Sequence, residues 1–376
     1  MRPILKLFAF LLLSFPLCAQ ITPSAEVLAL TRQLYVAVDA QKWDDAITAL
    51  KSLDKLQPET QGNAYNLACM YSRKADADQA CAWLDKAIQW GWGGGRGGIY
   101  AGASTQVERM PQPEMTAKDT DLEFLRKDAR WPKLAERMQA LQKRAEEYAA
   151  APALYVPEKL KDAPDLPALL VLHAAGGEKQ ATLAAWKSLA DELGCALVVP
   201  AAPYPLREDA ARGWGWIDDI NNFQLANRTA EYQRPVLAAL DALRKTKKLS
   251  ASKVWIAGEG EGATLALVTG LHNSGLLKGM ALLDPEVLHA LTDYKVTTAT
   301  GNGLRLEARF DAAAWKARGQ ESPLKSVQAW KLAGSASEIA ELKDAAARQA
   351  ALVDALRALA KAAEAAATTA PASAPK

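Results

Sequence analysis

The hydrophobic positions of this chain follow one rhythm up to about residue 150 and another beyond it. From Ala25 to Gly91 the apolar residues recur at helical spacing, and the pattern repeats with a period of 34. Ala46 and Ala80 correspond, as do Leu50 and Leu84, and Leu34 corresponds to Ala68. Further helices are predicted over Leu122–Arg126 and Pro132–Tyr148, with Thr120 and Glu123 at capping-box spacing. From Pro167 short apolar runs alternate with helical stretches. Ala168–Leu172, Ala196–Val199, Val254–Ala257 and Met280–Leu283 predict buried strands, followed by Leu304–Leu306 and Val327–Leu332. Helices are predicted over Ala181–Leu193, Ala230–Lys245 and Ala263–His272, with a last one over Ala336–Ala360. The class is α/β: a mostly parallel sheet flanked by helices, preceded by an all-α domain.

The chain of 376 residues is long enough for two cores. Residues 1–19 have the layout of a secretory signal. Arg2 and Lys6 precede the apolar run Leu7–Phe15, and Leu17-Cys18-Ala19 offers a cleavage site before Gln20. Phe15-Pro16-Leu17 is unsuited to lipidation of Cys18, and the run is short for a bilayer span. The expectation is an exported protein, periplasmic or secreted, with no membrane span. The helical domain is expected over 20–150, the α/β domain over 158–364, and a disordered Ala/Pro/Ser-rich tail over 365–376.

Charge and cysteine narrow the function classes. Loss of Arg2 and Lys6 leaves 43 basic against 43 acidic residues, with no global basic signature for nucleic acid. Cys69, Cys81 and Cys195 are too few for a disulfide scaffold. Cys69 and Cys81 could pair, but read better as small buried helix residues. No Cys/His cluster has metal-ligand spacing, and no cofactor or metal is expected. Gly91–Gly98 lacks the Lys-Ser/Thr of a phosphate loop and reads as a flexible surface loop.

Leu67, Ala68, Tyr71, Ala80, Leu84 and Ala87 resemble the tetratricopeptide pattern: small residues where two helices touch, large ones filling the groove. Such repeats bind proteins or peptides on their concave face, so a protein or peptide partner is implied. With two copies, packing against the second domain competes equally. Two repeats and a short cap bury little surface alone. Gln20–Ala150 is therefore expected to pack on the α/β domain through Trp90, Trp92 and Trp131, the alternative being a flexible linker at Ala149–Pro157.

The chemistry centres on Val254-Trp-Ile-Ala-Gly-Glu-Gly-Glu-Gly262, a strand entering a Gly-rich turn and then a helix. This is the layout of the nucleophile elbow G-x-S-x-G, with Gly260 where the serine belongs. Glycine has no side chain to attack a carbonyl. It does tolerate the strained backbone that an elbow nucleophile adopts. Upstream, Leu172-His173-Ala174-Ala175-Gly176-Gly177 with Trp186 resembles the LHGxGG…W of carboxylesterase/phospholipase-type α/β-hydrolases. Val199-Pro-Ala-Ala-Pro203 resembles the v-P-x-A-P after that family's next strand, and Trp214 and Trp216 lie where it places an active-site tryptophan. The resemblance covers about half the chain, in the expected order.

That resemblance implies an acid at Asp311, in Ala308-Arg-Phe-Asp311, and a histidine after the last strand, where Leu332-Ala-Gly-Ser335 carries Ser335 instead. Of His173, His272 and His289, none is well placed to be the base. A triad needs nucleophile, base and orienter, and only the orienter remains. The reading is a catalytically inactive domain that binds or scaffolds, with His173, Trp214, Glu259, Gly260, Glu261 and Asp311 as candidate ligand-binding residues and a small molecule in the vestigial cleft. The alternative is an active serine esterase with an unusual triad. Two minor readings compete. Gly258-x-Gly260-x-x-Ala263 with Asp284 also fits a dinucleotide fingerprint, although Glu259 and Glu261 would repel a pyrophosphate. The same two glutamates could also serve a glycosidase, although at a helix N-terminus they have a stabilising role available.

Overall fold

In a computed structural model of the chain, residues 25–98, 109–209, 211–217, 222–285, 305–310, 337–342 and 348–369 are described. They form two units. One holds the residues up to Ala145 together with Arg207–Ala211; the other holds Glu146–Leu206 and the residues from Arg212 onward.

The first unit starts with two helix pairs, α1 (Ala25–Asp39) with α2 (Trp43–Leu56) and α3 (Gln61–Arg73) with α4 (Ala77–Gln89). Ala46, Ala68 and Ala80 are fully buried, so the backbones close on one another, and Leu50, Leu67 and Leu84 fill the remaining space. The repeat is also written in the backbone. Gln41, between α1 and α2, and Ala75, between α3 and α4, both take positive φ, 55° and 59°. These positions lie one sequence period apart. Asp76 then caps α4 by accepting the Gln79 amide at 3.0 Å.

A short strand pair, β1 (Arg96–Gly98) and β2 (Arg109–Pro111), leads to α5 (Gln112–Lys118), two 3₁₀ turns and α6 (Trp131–Ala149). The first 3₁₀ turn, Thr120–Leu122, is capped by Asp119, which accepts the Asp121 amide at 2.9 Å. The expected Thr120–Glu123 capping box is therefore displaced by one residue: aspartate is a competent cap and already stands one position earlier. Cys69 and Cys81 are buried free thiols whose sulfurs face Asp119 and Asp128 at 3.8 and 3.9 Å.

The glycine-rich stretch is not the surface loop its composition suggests. Gly91–Gly95 are buried, and the Gly93 and Gly95 amides both donate to the Gln112 Oε1, at 2.7 and 3.0 Å. Trp92 is buried in the helical core, its indole stacked on Tyr65 and its Nε1 donating to Thr116 Oγ1 at 3.0 Å. Trp90 and Trp131 pack on the same core.

The second unit is built on a sheet with seven strands among the described residues. Its strands are β3 (Ala153–Tyr155), β4 (Leu166–Leu172), β5 (Ala196–Val199), β8 (Leu249–Glu259), β9 (Gly279–Leu283), β10 (Arg305–Phe310) and β11 (Ser337–Glu341), in the spatial order β11-β10-β9-β8-β4-β5-β3. All pairs are parallel except β3 with β5. A hairpin of two short strands, β6 (Tyr204–Pro205) and β7 (Trp214–Gly215), lies outside the sheet. Helices α7 (Lys179–Leu193) and α10 (Arg348–Thr369) cover one face, their Trp186, Leu189, Leu352 and Leu356 meeting Leu169, Leu197 and Trp255. Helices α8 (Asn222–Arg244) and α9 (Glu261–His272) are the other helices of this unit among the described residues. Burial on both faces explains why β4, β5 and β9 are continuous apolar runs rather than alternating ones.

Two boundaries differ from the sequence reading, and one predicted strand is not tested. The sheet begins upstream of Glu158, because Ala153–Tyr155, inside the stretch considered as a linker, pairs with β5. The predicted strand Val327–Leu332 lies outside the described residues. Ser337–Glu341, expected to be helical, is a strand on β10, and the last helix starts only at Arg348. The Ser-Glu-Ile-Ala-Glu sequence has ordinary helix propensity, but an edge position beside β10 overrides it. Among the described residues no helix is long and apolar enough to cross a membrane.

Candidate functional site

The chain adds β5 on one side of β4 and later β8 on the other, so the direction of winding reverses there. In open α/β sheets the crevice at such a reversal, beyond the carboxyl ends of the strands, is where ligands bind. β4 delivers His173 to it and β8 delivers Gly260.

Gly260 holds φ 56° and ψ −123°, a combination that costs any residue with a Cβ. Its amide donates to the Leu283 carbonyl at 3.0 Å, and its carbonyl accepts the Thr264 amide at 3.1 Å, which starts α9. The flanking glycines are demanded by close approach. A Cβ on Gly258 would drive into the Gly262 carbonyl, and one on Gly262 into the carbonyls of Leu172 and His173. The turn is therefore clamped against the end of β4.

Around it the sequence candidates take separate roles. Glu261 is 6 % exposed, and its Oε2 accepts the Trp216 amide at 3.0 Å. Trp216 is fully buried, its Nε1 donating to the His173 carbonyl at 2.7 Å and its ring tilted against the imidazole with centroids 5.1 Å apart. Trp216 thus bridges the loops that follow β4 and β8. Trp214 pairs by backbone with the glycine loop: its amide donates to the Gly177 carbonyl at 3.1 Å, and its carbonyl accepts the Gly176 amide at 3.0 Å. Its ring stacks on Tyr148 at 3.8 Å.

Glu259 belongs to a different group. Its Oε1 lies 3.2 Å from Arg348 Nε, at the start of α10, and Arg348 also reaches Asp284 at 3.4 Å. Asp284 is 3 % exposed with φ 49°, and its amide donates to the Arg309 carbonyl at 2.8 Å. A carboxylate buried against a guanidinium is not placed to hold ribose hydroxyls, which corrects the dinucleotide reading. The paired-carboxylate reading is corrected by the same geometry, since Glu259 and Glu261 are engaged by different partners on different elements. No sequence signal marks Arg348, which stands 89 residues beyond Glu259.

His173 Nδ1 lies 2.8 Å from the Ala174 carbonyl, which assigns the proton to Nδ1, and Nε2 has no hydrogen-bond partner among the described residues. The ring occupies the space that a Cβ on Gly177 would need. Burial holds the imidazole below its ordinary pKa, so it stays neutral. A base whose folded pKa is depressed contributes stability that is complete above the unfolded value of about 6.5 and is lost as pH falls through the folded value. Urea midpoints are expected to fall on acidification below about pH 6.5, and His173→Gln to remove part of that slope. The remainder belongs in part to His272, also lowered by burial. Equal slopes in parent and variant would contradict the assignment.

His272 Nδ1 meets Gln233 Nε2 at 2.8 Å, at the far end of α9 from the elbow. His289, Asp311 and Ser335 lie outside the described residues. In sequence Ser335 comes before β11, the last strand among the described residues. The residues from Leu342 to Ala347, which do follow β11, include no histidine.

No family model matches the chain. No curated protein matches it either. Among solved structures it is similar to a ferulic acid esterase, at 13 % identity over 55 % of this chain and 91 % of that one, TM-score 0.40. It is similar to esterase PE8 at 16 % identity over 56 % and 98 %, TM-score 0.40. It is also similar to the S-formylglutathione hydrolase FrmB from Staphylococcus aureus at 12 % identity over 55 % and 88 %, TM-score 0.35.

Proposed function

We propose that the sheet unit is a catalytically silent α/β-hydrolase-like domain that serves in binding or scaffolding, within an exported protein whose N-terminal helices are tetratricopeptide-like. The observation that carries this reading is Gly260: it keeps the backbone of an elbow nucleophile and supplies no nucleophile. The missing histidine after β11 supports it independently. Trp216 spanning the two loops weights the reading toward scaffolding over small-molecule capture. The α1–α4 helices would supply the surface for a protein or peptide partner. Export is tested separately: N-terminal sequencing of protein recovered outside the cytoplasm is expected to begin at Gln20.

The activity test uses purified protein with p-nitrophenyl esters and a fluorophosphonate probe. No turnover and no labelling are expected; labelling at a single serine would overturn the silent reading and favour an esterase with an unusual triad. Gly260→Ser is the sharper version. The serine must accept φ 56° and ψ −123°, so a loss of about 1–3 kcal/mol is expected in a denaturant melt. No esterase activity is expected to appear, because a seryl hydroxyl without a base is a poor nucleophile. Measurable hydrolysis by Gly260→Ser would mean that a base stands within reach.

A further inference from the structure

Residues Arg207–Ala211 belong to the first unit, although the strands on either side of them belong to the second. Burial changes abruptly along this stretch. Tyr204 and Pro205 before it and Trp214 after it are buried, whereas Asp209, Ala211 and Arg212 are exposed. Arg207-Glu208-Asp209 has no apolar side chain to anchor it, so polar contacts must hold it. The Arg137 guanidinium, on α6, forks onto the Glu208 carboxylate, Nε to Oε1 at 2.7 Å and Nη2 to Oε2 at 2.6 Å. The Glu208 amide donates to the Gln89 carbonyl at 3.1 Å, at the end of α4, and Arg144 donates to the Glu208 carbonyl. The fork is only partly shielded from water, with Arg137 26 % and Glu208 31 % exposed.

A two-pronged, charge-assisted contact is specific when made. What decides its behaviour is the state that opening would leave behind. Breaking a buried ion pair is strongly unfavourable because it strands a charge. Here no charge is stranded. Arg137 keeps Asp85, which accepts from its Nη1, and Asp85 also accepts Gln89 Nε2 at 2.6 Å. Gln89 is exposed, so its carbonyl passes to water, as does the released Glu208. A specific contact whose loss strands nothing is what a local opening with its own equilibrium requires.

We propose that Arg207-Glu208-Asp209 is a strap that opens from and closes on α4 and α6 independently of the β6 and β7 strands, with the Arg137 fork on Glu208 as its latch. The inference does not rest on the silent reading: a labelled serine would leave it standing.

Amide hydrogen exchange on the full-length protein tests both parts. In the parent the Glu208 amide, although bonded, is expected to exchange about tenfold or more faster than the Trp214 amide, which donates to the Gly177 carbonyl. Arg137→Ala and Glu208→Ala are each expected to speed exchange at 207–209 by about a further tenfold, with β7 unchanged. Both remove the same fork, so the double variant is expected to match the faster single one within about twofold. Arg130→Ala, which breaks the ion pairs to Asp78 and Asp128 elsewhere in the same unit, is the control and should leave 207–209 as in the parent. Parent exchange at Glu208 as slow as at Trp214, or acceleration of β7 together with 207–209, overturns the independent strap. Unchanged exchange in both single variants, effects that multiply in the double variant, or an equal effect of Arg130→Ala overturns the latch. Should Arg137→Ala not fold, the parent comparison and Glu208→Ala still decide.

Discussion

Gly262→Ala is expected to destabilise the protein by about 3 kcal/mol, toward the top of the range for forcing atoms into a packed core. The added methyl would meet the carbonyls of both Leu172 and His173, with the Leu172 carbonyl carbon 2.8 Å away. These are backbone atoms at the end of β4, which is held between β5 and β8, so they have no rotamer to change. Relief requires parting the β4 end from the α9 start, which also displaces Trp216 from the His173 carbonyl. Gly258→Ala is the partner variant, since its methyl would strike the Gly262 carbonyl. Gly275→Ala is the control, because a Cβ there meets no atom within 4 Å. Urea melts of the three decide the matter: a Gly262→Ala loss as small as that of Gly275→Ala would mean that the turn is loosely held and not clamped.

What was legible in the sequence follows from the range of the forces involved. The strands β4, β5 and β9 announce themselves because burial on both faces leaves an unbroken apolar run. The turn after β8 announces itself because Gly258 and Gly262, both forced by close approach, fall at fixed spacing within five residues. The helix pairs are legible because two touching helices demand alanine where their backbones meet, at Ala46 and again at Ala80. Where the deciding partner is distant, local reading fails. Ser337–Glu341 is a strand only because β10 offers its edge. Arg348 joins Glu259 to Asp284 across 89 and 64 residues, and no local pattern reveals that. Trp214 and Trp216 drew notice in the sequence, but the bond of Trp216 to Glu261 spans 45 residues and no local pattern shows it.

The glycine run at 91–95 supplies the second large effect. Composition makes it a loop, whereas a single side chain makes it part of the core. Gln112 is 3 % exposed and its Oε1 accepts two buried amides, those of Gly93 and Gly95. Gly93 itself has φ 126°, and a Cβ there would come within 2.9 Å of the Met138 backbone, so the turn is wedged against α6 and cannot swing out to water easily. Converging amides of this kind could cradle an anion, but here a neutral amide oxygen fills the position. Gln112→Ala leaves both donors without their acceptor, and at about 1–3 kcal/mol for each unsatisfied buried group the loss is expected to be about 2–6 kcal/mol. Gln112→Glu should cost less, because a carboxylate oxygen accepts the same two bonds. The check is a denaturant melt of each variant, followed by the near-ultraviolet signal of Trp92, which stacks on Tyr65 beside this turn. A Gln112→Ala loss below about 0.5 kcal/mol, the lower edge of an ordinary hydrogen bond's net worth, would return the run to the solvent-facing loop that its composition suggests.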